Sequence, residues 1–385
     1  MNNIINDKLN WLKTNLFNNW YNSLLSILSI IFIFWIFQGF TNWLITLSQW
    51  EVVQVNFHLF LVGRFPKSLY WRIWVILAII TTLTSMTIGV FKQQQIFTKR
   101  NFSIAAFCGI IVLLILPLQT VDKIRLFAIA ILSLGGLFTG RKFPNKLKPW
   151  TSLIWLLSFP LILWLIGGGV GLKPVSTNFW NGLLLTLLMA IVSITLSFPL
   201  GILLALGRTS TLRIIHWFSI FYIEIVRGLP LIGILFLAQV MLPLFLPENL
   251  RLDLLVRGIA GLTLFSAAYM AENVRGGLQS IPKGQIEAGK ALGLNTPYII
   301  IFIVLPQALK AVIPAIVGQF IGLFKDTSLL SLVGLVELTG MARSILAQPQ
   351  FLGRYAEVYL FIGVIYWVFC YVMAITARKL ENVNN

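Results

Sequence analysis

Charged side chains are scarce in this sequence. They make up 11% of its 385 residues, against about 25% in a soluble domain, while 58% are hydrophobic, so water is not the main solvent of the chain. Acidic residues are rarer still, 12 against 29 Lys and Arg, leaving a formal net charge of +17. Such an excess suits nucleic acid when it gathers on one face. Here the basic residues are scattered among apolar segments, and no nucleic-acid partner is expected. Cysteine is nearly missing: Cys108 and Cys370 each lie in an apolar stretch, where a thiol behaves as a small hydrophobe, so no disulfide framework is implied. The two histidines, His58 and His216, have no Cys, Asp or Glu at ligand spacing, which argues against a metal site. Also lacking is a small-residue cleavage site after the first apolar run. The polar stretch from Met1 to Tyr21, with Lys8 and Lys13, reads as the flank of a retained anchor.

What the sequence has in quantity is long apolar runs. Candidate spans fall at 23–47, 70–91, 102–119, 124–139, 150–169, 179–206, 217–245, 256–274, 307–333 and 356–377, most near the ~20 residues that cross a hydrocarbon core. Lipid offers backbone amides no partner, so each span is a helix. The expected fold class is an all-α integral membrane protein, a polytopic bundle of about ten transmembrane helices. The third and fourth spans are the shortest, with only Thr120 to Lys123 between them.

Charge in the loops orients this bundle. With Met1 in the cytoplasm, the loops on that side carry Lys92, Lys99 and Arg100, then Arg141, Lys142, Lys146 and Lys148, then Arg208 and Arg213, as the positive-inside rule requires. Opposite loops hold a sparser set, Arg64, Lys67, Lys173, Arg251 and Arg343, mixed with Glu248 and Asp253. The same register places 275–290 and the Arg378-Lys379 tail inside, so both termini are expected to be cytoplasmic. A glycine run and a proline, Gly167-Gly168-Gly169 to Pro174, mark a boundary. It separates residues 1–171, ordinary lipid-facing spans, from residues 172–385. In the latter, Glu224, Arg227, Glu272, Arg275, Lys325, Asp326 and Glu337 interrupt apolar runs. Such groups are expensive in lipid, and function is expected there.

A long polar interruption, 279–306, is legible in detail. Pro282 can start a short helix, Gly293 can end it, and Thr296-Pro297 offers a cap and a first-turn proline for the next segment. Between them Glu287, Ala288, Gly289, Ala291 and Leu292 give a helix with a small, shallow surface, suited to another protein's groove. The stretch from Gly284 to Ala291 also fits G-x-x-x-x-G-K but ends in Ala291, where a P-loop needs a hydroxyl for magnesium, and no strand precedes it. ATP binding by this chain is therefore rejected.

Two further segments share a pattern: Glu224-Ile-Val-Arg227-Gly228 and Glu272-Asn-Val-Arg275-Gly276. Residues three apart share a helix face, so each acid can partly compensate its arginine while glycine admits close backbone approach. Lys325-Asp326-Thr327-Ser328 places opposite charges side by side. Consecutive helical residues do not face each other, so at least one must meet water, a ligand or another helix. Cations and acids in a polar cavity could receive a carboxylate and an ammonium group. The same residues could instead be buried ion pairs or a polar cluster locking helix packing.

The spacing of Glu287-Ala288, Gly293, Ile303 and Leu305-Pro306 resembles the EAA loop of ABC-importer permeases, with Gly289 replacing the usual second alanine. Arg227-Gly228 with Pro230, Glu272 with Arg275-Gly276, Gly284-Gln285 and Lys325 to Leu329 resemble the polar amino-acid branch: the histidine, glutamine and general amino-acid permeases. The resemblance covers about residues 176–378, and Leu229 departs from a common threonine. It implies a type I importer permease core in the C-terminal half and a multi-pass protein of the bacterial inner membrane. It also implies an uptake system for polar amino acids working by alternating access. Gly284, Gln285, Glu287, Ala288, Gly289, Ala291, Leu292 and Gly293 would dock on ABC ATPase subunits, which use ATP, so the chain itself is no enzyme and needs no cofactor. A second permease subunit, identical or different, and a periplasmic or external substrate-binding protein are implied as partners. Glu224, Arg227, Tyr269, Glu272, Arg275, Lys325, Asp326, Thr327 and Ser328 are the candidate substrate-binding residues. The rival reading is an ion-coupled secondary transporter with Asp326, Glu272 or Glu224 as its ion site. It leaves the EAA spacing unexplained.

Overall fold

The computed structural model of the protein describes residues 10–91 and 119–384. Among the described residues regular structure is helical, the only β contacts being isolated bridges at Gly169–Leu172 and Gly182–Glu337. Seven helices among the described residues are long and apolar enough to cross a membrane, or eight when the bent pair Arg213–Gly228 and Leu231–Phe245 counts as one. The expected span at 102–119 lies, but for Gln119, outside the described residues, and so does Cys108. The chain forms two compact units, Met1–Val53 and Gln54–Asn385.

In the first unit, α1 (Trp20–Asn42) runs on through a π-helical turn, Trp43–Leu47, without a buried residue. Isoleucine, phenylalanine and tryptophan are exposed all around it, Phe34 at 66% and Trp35 at 69% among them. A helix hydrophobic on every side belongs in lipid.

The second unit begins with α2 (Phe57–Val62), α3 (Tyr70–Phe91), α4 (Thr120–Lys142) and α5 (Thr151–Gly167); α4 overlaps the fourth expected span, 124–139, but is not among the helices apolar enough to cross a membrane. Glycine sets the α3–α4 contact. A Cβ on Gly136 would lie 2.7 Å from the Thr82 carbonyl oxygen, and one on Gly140 would strike the Met86 carbonyl. Two glycines four residues apart thus let the backbones meet, the small-residue packing that substitutes for the hydrophobic effect within lipid. Because Thr82 meets Gly136 and Met86 meets Gly140, the two helices run parallel.

After the turn at Gly168 come α6 (Gly182–Arg208), α7 (Arg213–Gly228) and α8 (Leu231–Phe236), then α9 (Leu254–Ser280) and α10 (Lys283–Ala291). They are followed by α11 (Leu305–Ala311), α12 (Ile313–Asp326), α13 (Leu338–Leu346) and α14 (Tyr355–Asn384). The axis of the unit is the α6–α9 pair. A Cβ on Gly258 would lie 2.8 Å from Met189, and one on Gly201 would lie 2.5 Å from Met270, with the same sequence offset at both levels. These helices are therefore also parallel and in close register. Their shared face is small and largely buried: Ala190, Ser193, Ser197 and Ala205 of α6, with Ser266, Ala267 and Ala271 of α9.

The helices upstream of the glycine run pack directly on this pair. Phe65, Ile76, Leu165 and Ile166 share one buried core with Leu185, Met189, Leu262, Leu323 and Leu330. Arg72, 1% exposed, donates from Nη1 to the Lys173 carbonyl at 2.9 Å, which ties α3 to the segment after the glycine run.

Two of the expected spans are broken, each at a proline. The stretch expected as 217–245 bends by 104° at Leu229, extended at φ −97°, ψ 142°, as the residue before Pro230 is biased to be. The stretch expected as 307–333 breaks at Val312, φ −108°. There Pro314 has no amide to donate, and its ring crowds the carbonyl of Lys310.

Candidate functional site: a coupling helix, a charge network and a buried carboxylate

Helix α10 follows Pro282 and ends as expected at Gly293, which takes the left-handed backbone conformation (φ +77°). The Leu294 amide donates back to the Gly289 carbonyl at 3.1 Å, the long-range closure of a helix stopped by glycine. Gly284, Gln285, Glu287, Ala288, Ala291, Leu292 and Gly293 are exposed, and Leu292 is 79% exposed, a large apolar side chain left open on a polar helix. Gly289 is buried instead. A Cβ there would lie 2.9 Å from Ile299 Cγ1, so the substitution for alanine has a packing cause. One cap differs from expectation: Asn295, not Thr296, caps the next turn, its Oδ1 accepting from the Tyr298 amide.

The next chemistry sits at the ends of α6 and α9 nearest α10. Glu272 pairs with Arg275 at 2.8 Å, Arg208 at 2.7 Å and Arg227 at 3.4 Å, and Arg208 also reaches Glu224 at 3.0 Å. Arg227 lies over the Tyr269 ring at 5.7 Å. The i, i+3 pairing expected within each segment holds for Glu272 and Arg275. It fails for Glu224, which turns to Arg208 of α6 while its neighbour Arg227 crosses to Glu272. Three guanidinium groups thus surround two carboxylates, and Glu272 at 15% side-chain exposure is the centre. Arg208 appears in the sequence only as a loop charge; no local spacing announces its place here.

Lys325, Asp326, Thr327 and Ser328 lie elsewhere, at the end of α12 and in the 3-10 turn Thr327–Val333. Among the described residues no hydrogen bond or ion pair joins them to the Glu272 network. Lys325 is exposed and Asp326 half-buried. Thr327 is fully buried, and its hydroxyl donates to the Phe324 carbonyl at 2.7 Å.

Glu337 proves to be the most enclosed carboxylate of the region, with no exposed surface. It caps α13, accepting from the Thr339 and Gly340 amides at 2.9 Å each, and also accepts from the Tyr366 hydroxyl at 3.0 Å and Thr186 Oγ1 at 3.3 Å. Thr186 in turn accepts the Leu338 amide at 3.0 Å. Burial pushes the Glu337 carboxyl above the ordinary carboxylate range, and these hydrogen bonds oppose that shift. The side chain thereby joins α6, α13 and α14.

Comparison with known proteins matches residues 197–382 to the family of binding-protein-dependent transport system inner membrane components. The chain is 35% identical over 388 residues to the inner membrane amino-acid ABC transporter permease protein YhdY of Escherichia coli, covering 96% of this chain and 91% of that one. It is 34% identical over 411 residues to the glutamate/glutamine/aspartate/asparagine transport system permease protein BztC of Rhodobacter capsulatus, covering 97% and 93%. A probable glutamine ABC transporter permease of Bacillus subtilis is 37% identical over 202 residues, which is 91% of that protein but 52% of this chain. The end-to-end likeness to the first two, on a helical chain with several membrane-crossing segments, places this protein in the family of inner-membrane amino-acid ABC transporter permeases.

Proposed function

We propose that this chain is the membrane-spanning subunit of an ATP-driven importer of polar amino acids and moves its substrate by alternating access. The observation that carries the reading is the exposed helix α10, bearing Glu287, Ala288 and the open Leu292, on a chain with full-length likeness to amino-acid ABC permeases. In this reading ATPase subunits grip 284–293 and hydrolyse ATP themselves, so the permease needs no cofactor. A second permease subunit, of the same or another chain, completes the pathway, and an external binding protein delivers the substrate. Both termini lie in the cytoplasm, and residues 1–171 add helices to a permease domain at 172–385 whose coupling loop is 279–306.

The candidate substrate residues divide between two roles. Lys325, Asp326 and Ser328 are accessible enough to meet a zwitterion, the cation receiving its carboxylate and the acid its ammonium group; Thr327 closes the helix end behind them. Glu224, Arg227, Tyr269, Glu272 and Arg275 form the floor of the pathway beside α10. Substrate drives a change of orientation there only by binding one orientation better than the other.

Uptake in proteoliposomes tests this reading. Accumulation of a polar amino acid that requires both internal ATP and the ATPase subunits is the expected result. Uptake by the chain alone, driven by an ion gradient without ATP, would overturn it.

A further inference from the structure

A cavity of about 460 Å³ opens where the upstream helices meet α6, bounded by α2, α3, α4, α5 and α6. Its volume lies within the ~300–1,000 Å³ of ordinary ligand pockets. Its wall is almost wholly aliphatic and aromatic, so a polar solute would find its groups unpaired there. The exceptions, His58 and Tyr70, stack at 5.9 Å and lie at one end with Trp74. From that end the lining continues along α3 to Ile80 and along α6 from Leu183 to Val192. Ten residues of helix extend about 15 Å, roughly half the thickness of a hydrocarbon core.

The cavity is therefore as deep as one leaflet and begins in amphipathic rings, the side chains that favour the membrane interface. Cations gather at that same end. Arg64 follows the lining residue Val62 by two positions, and Lys67 precedes Tyr70 by one turn; both are exposed. Arg125 adjoins the lining residue Leu126 and sits 5.8 Å from the Trp74 ring. Arg125 and its buried neighbour Asp122 pair at 2.9 Å and cancel, so the positive charge here is that of Arg64 and Lys67. A positive rim above a dry, leaflet-deep slot has the charge complement of a lipid phosphate above its acyl chain.

We propose that this cavity holds one acyl chain of an anionic membrane phospholipid, with Arg64 and Lys67 against its headgroup. The lipid would fill the seam between the upstream helices and the transport core.

The test uses the full chain in vesicles of equal parts phosphatidylcholine and phosphatidylglycerol, containing a trace of phosphatidylglycerol with a photoreactive group midway along one acyl chain. Irradiation followed by peptide mapping is expected to place adducts on 74–80 and 184–191 several-fold above those on the exposed face of α1. Leu187→Trp, which fills the slot, should abolish that excess. Labelling of 74–80 and 184–191 no greater than that of α1, as when a protein segment occupies the slot, would overturn the proposal. The charge is tested separately, because Arg64→Ser with Lys67→Ser leaves the slot intact. Wild-type protein should favour the phosphatidylglycerol probe over its phosphatidylcholine counterpart several-fold, and the double variant should label equally with both. A preference absent in wild type, or unchanged in the variant, would overturn the assignment of an anionic headgroup.

Discussion

Glu272 is the one carboxylate that pairs with all three guanidinium groups of its network. Glu272→Gln should therefore lower stability in detergent by about 2 kcal/mol, less than for a wholly buried pair because the network is partly solvated. Glu224 is 54% exposed, and Glu224→Gln should cost under about 1 kcal/mol. Thermal melts of the two variants check the ranking, and equal shifts would remove Glu272 from the centre. At the other cluster, Asp326→Asn should reduce uptake far more than it reduces the amount of assembled protein; quantifying both on one preparation decides it, since parallel losses mean a structural role. Sequence spacing reveals the Glu272–Arg275 pair because a helix brings i and i+3 together whatever else happens. It misleads for Glu224, whose partner Arg208 arrives from another helix through the turn at 209–212. Glu337 reads in the sequence as one more charge beside an apolar run, and only the fold converts it into a helix cap with four donors.

Helix pairs depend here on where side chains are missing. In α4, Gly136 faces the Thr82 carbonyl while its neighbour Gly135 has nothing within 4 Å of a Cβ. Gly136→Leu should destabilise the α3–α4 pair by about 3 kcal/mol or more, as overpacking against backbone does, and Gly135→Leu should be nearly silent. Folded yield and melting temperature of the two variants measure the contrast. Run length places the helices in the sequence well, because crossing lipid sets a minimum length that composition reveals. The breaks at Leu229 and Val312 are less legible, although Pro230 and Pro314 stand beside them. A membrane helix can carry a proline unbroken, as α6 does at Pro199, and neighbouring contacts decide which ones bend.

For the whole protein, the prediction with the widest reach concerns α10. Glu287→Lys should leave insertion and melting unchanged, because Glu287 is exposed, while uncoupling uptake from ATP hydrolysis. Normal uptake at matched abundance would remove the coupling role. The close register of α6 and α9 bears on how such coupling travels. Two rods bonded along their length resist bending far more than the same rods lying loose, as the layers of a laminated beam do. Densely packed contacts pass strain on instead of absorbing it. One end of α10 is attached to this stiff member, through Ile281 and Pro282. Its other end leads into the π-helical stretch Ile300–Val304 and the break at Val312, where the ladder of helical hydrogen bonds is irregular. A push on α10 therefore meets a rigid spar on one side and a yielding joint on the other. In the proposed mechanism the stroke would become a rotation about the α9 end, opening or closing α12 against a strut that holds still.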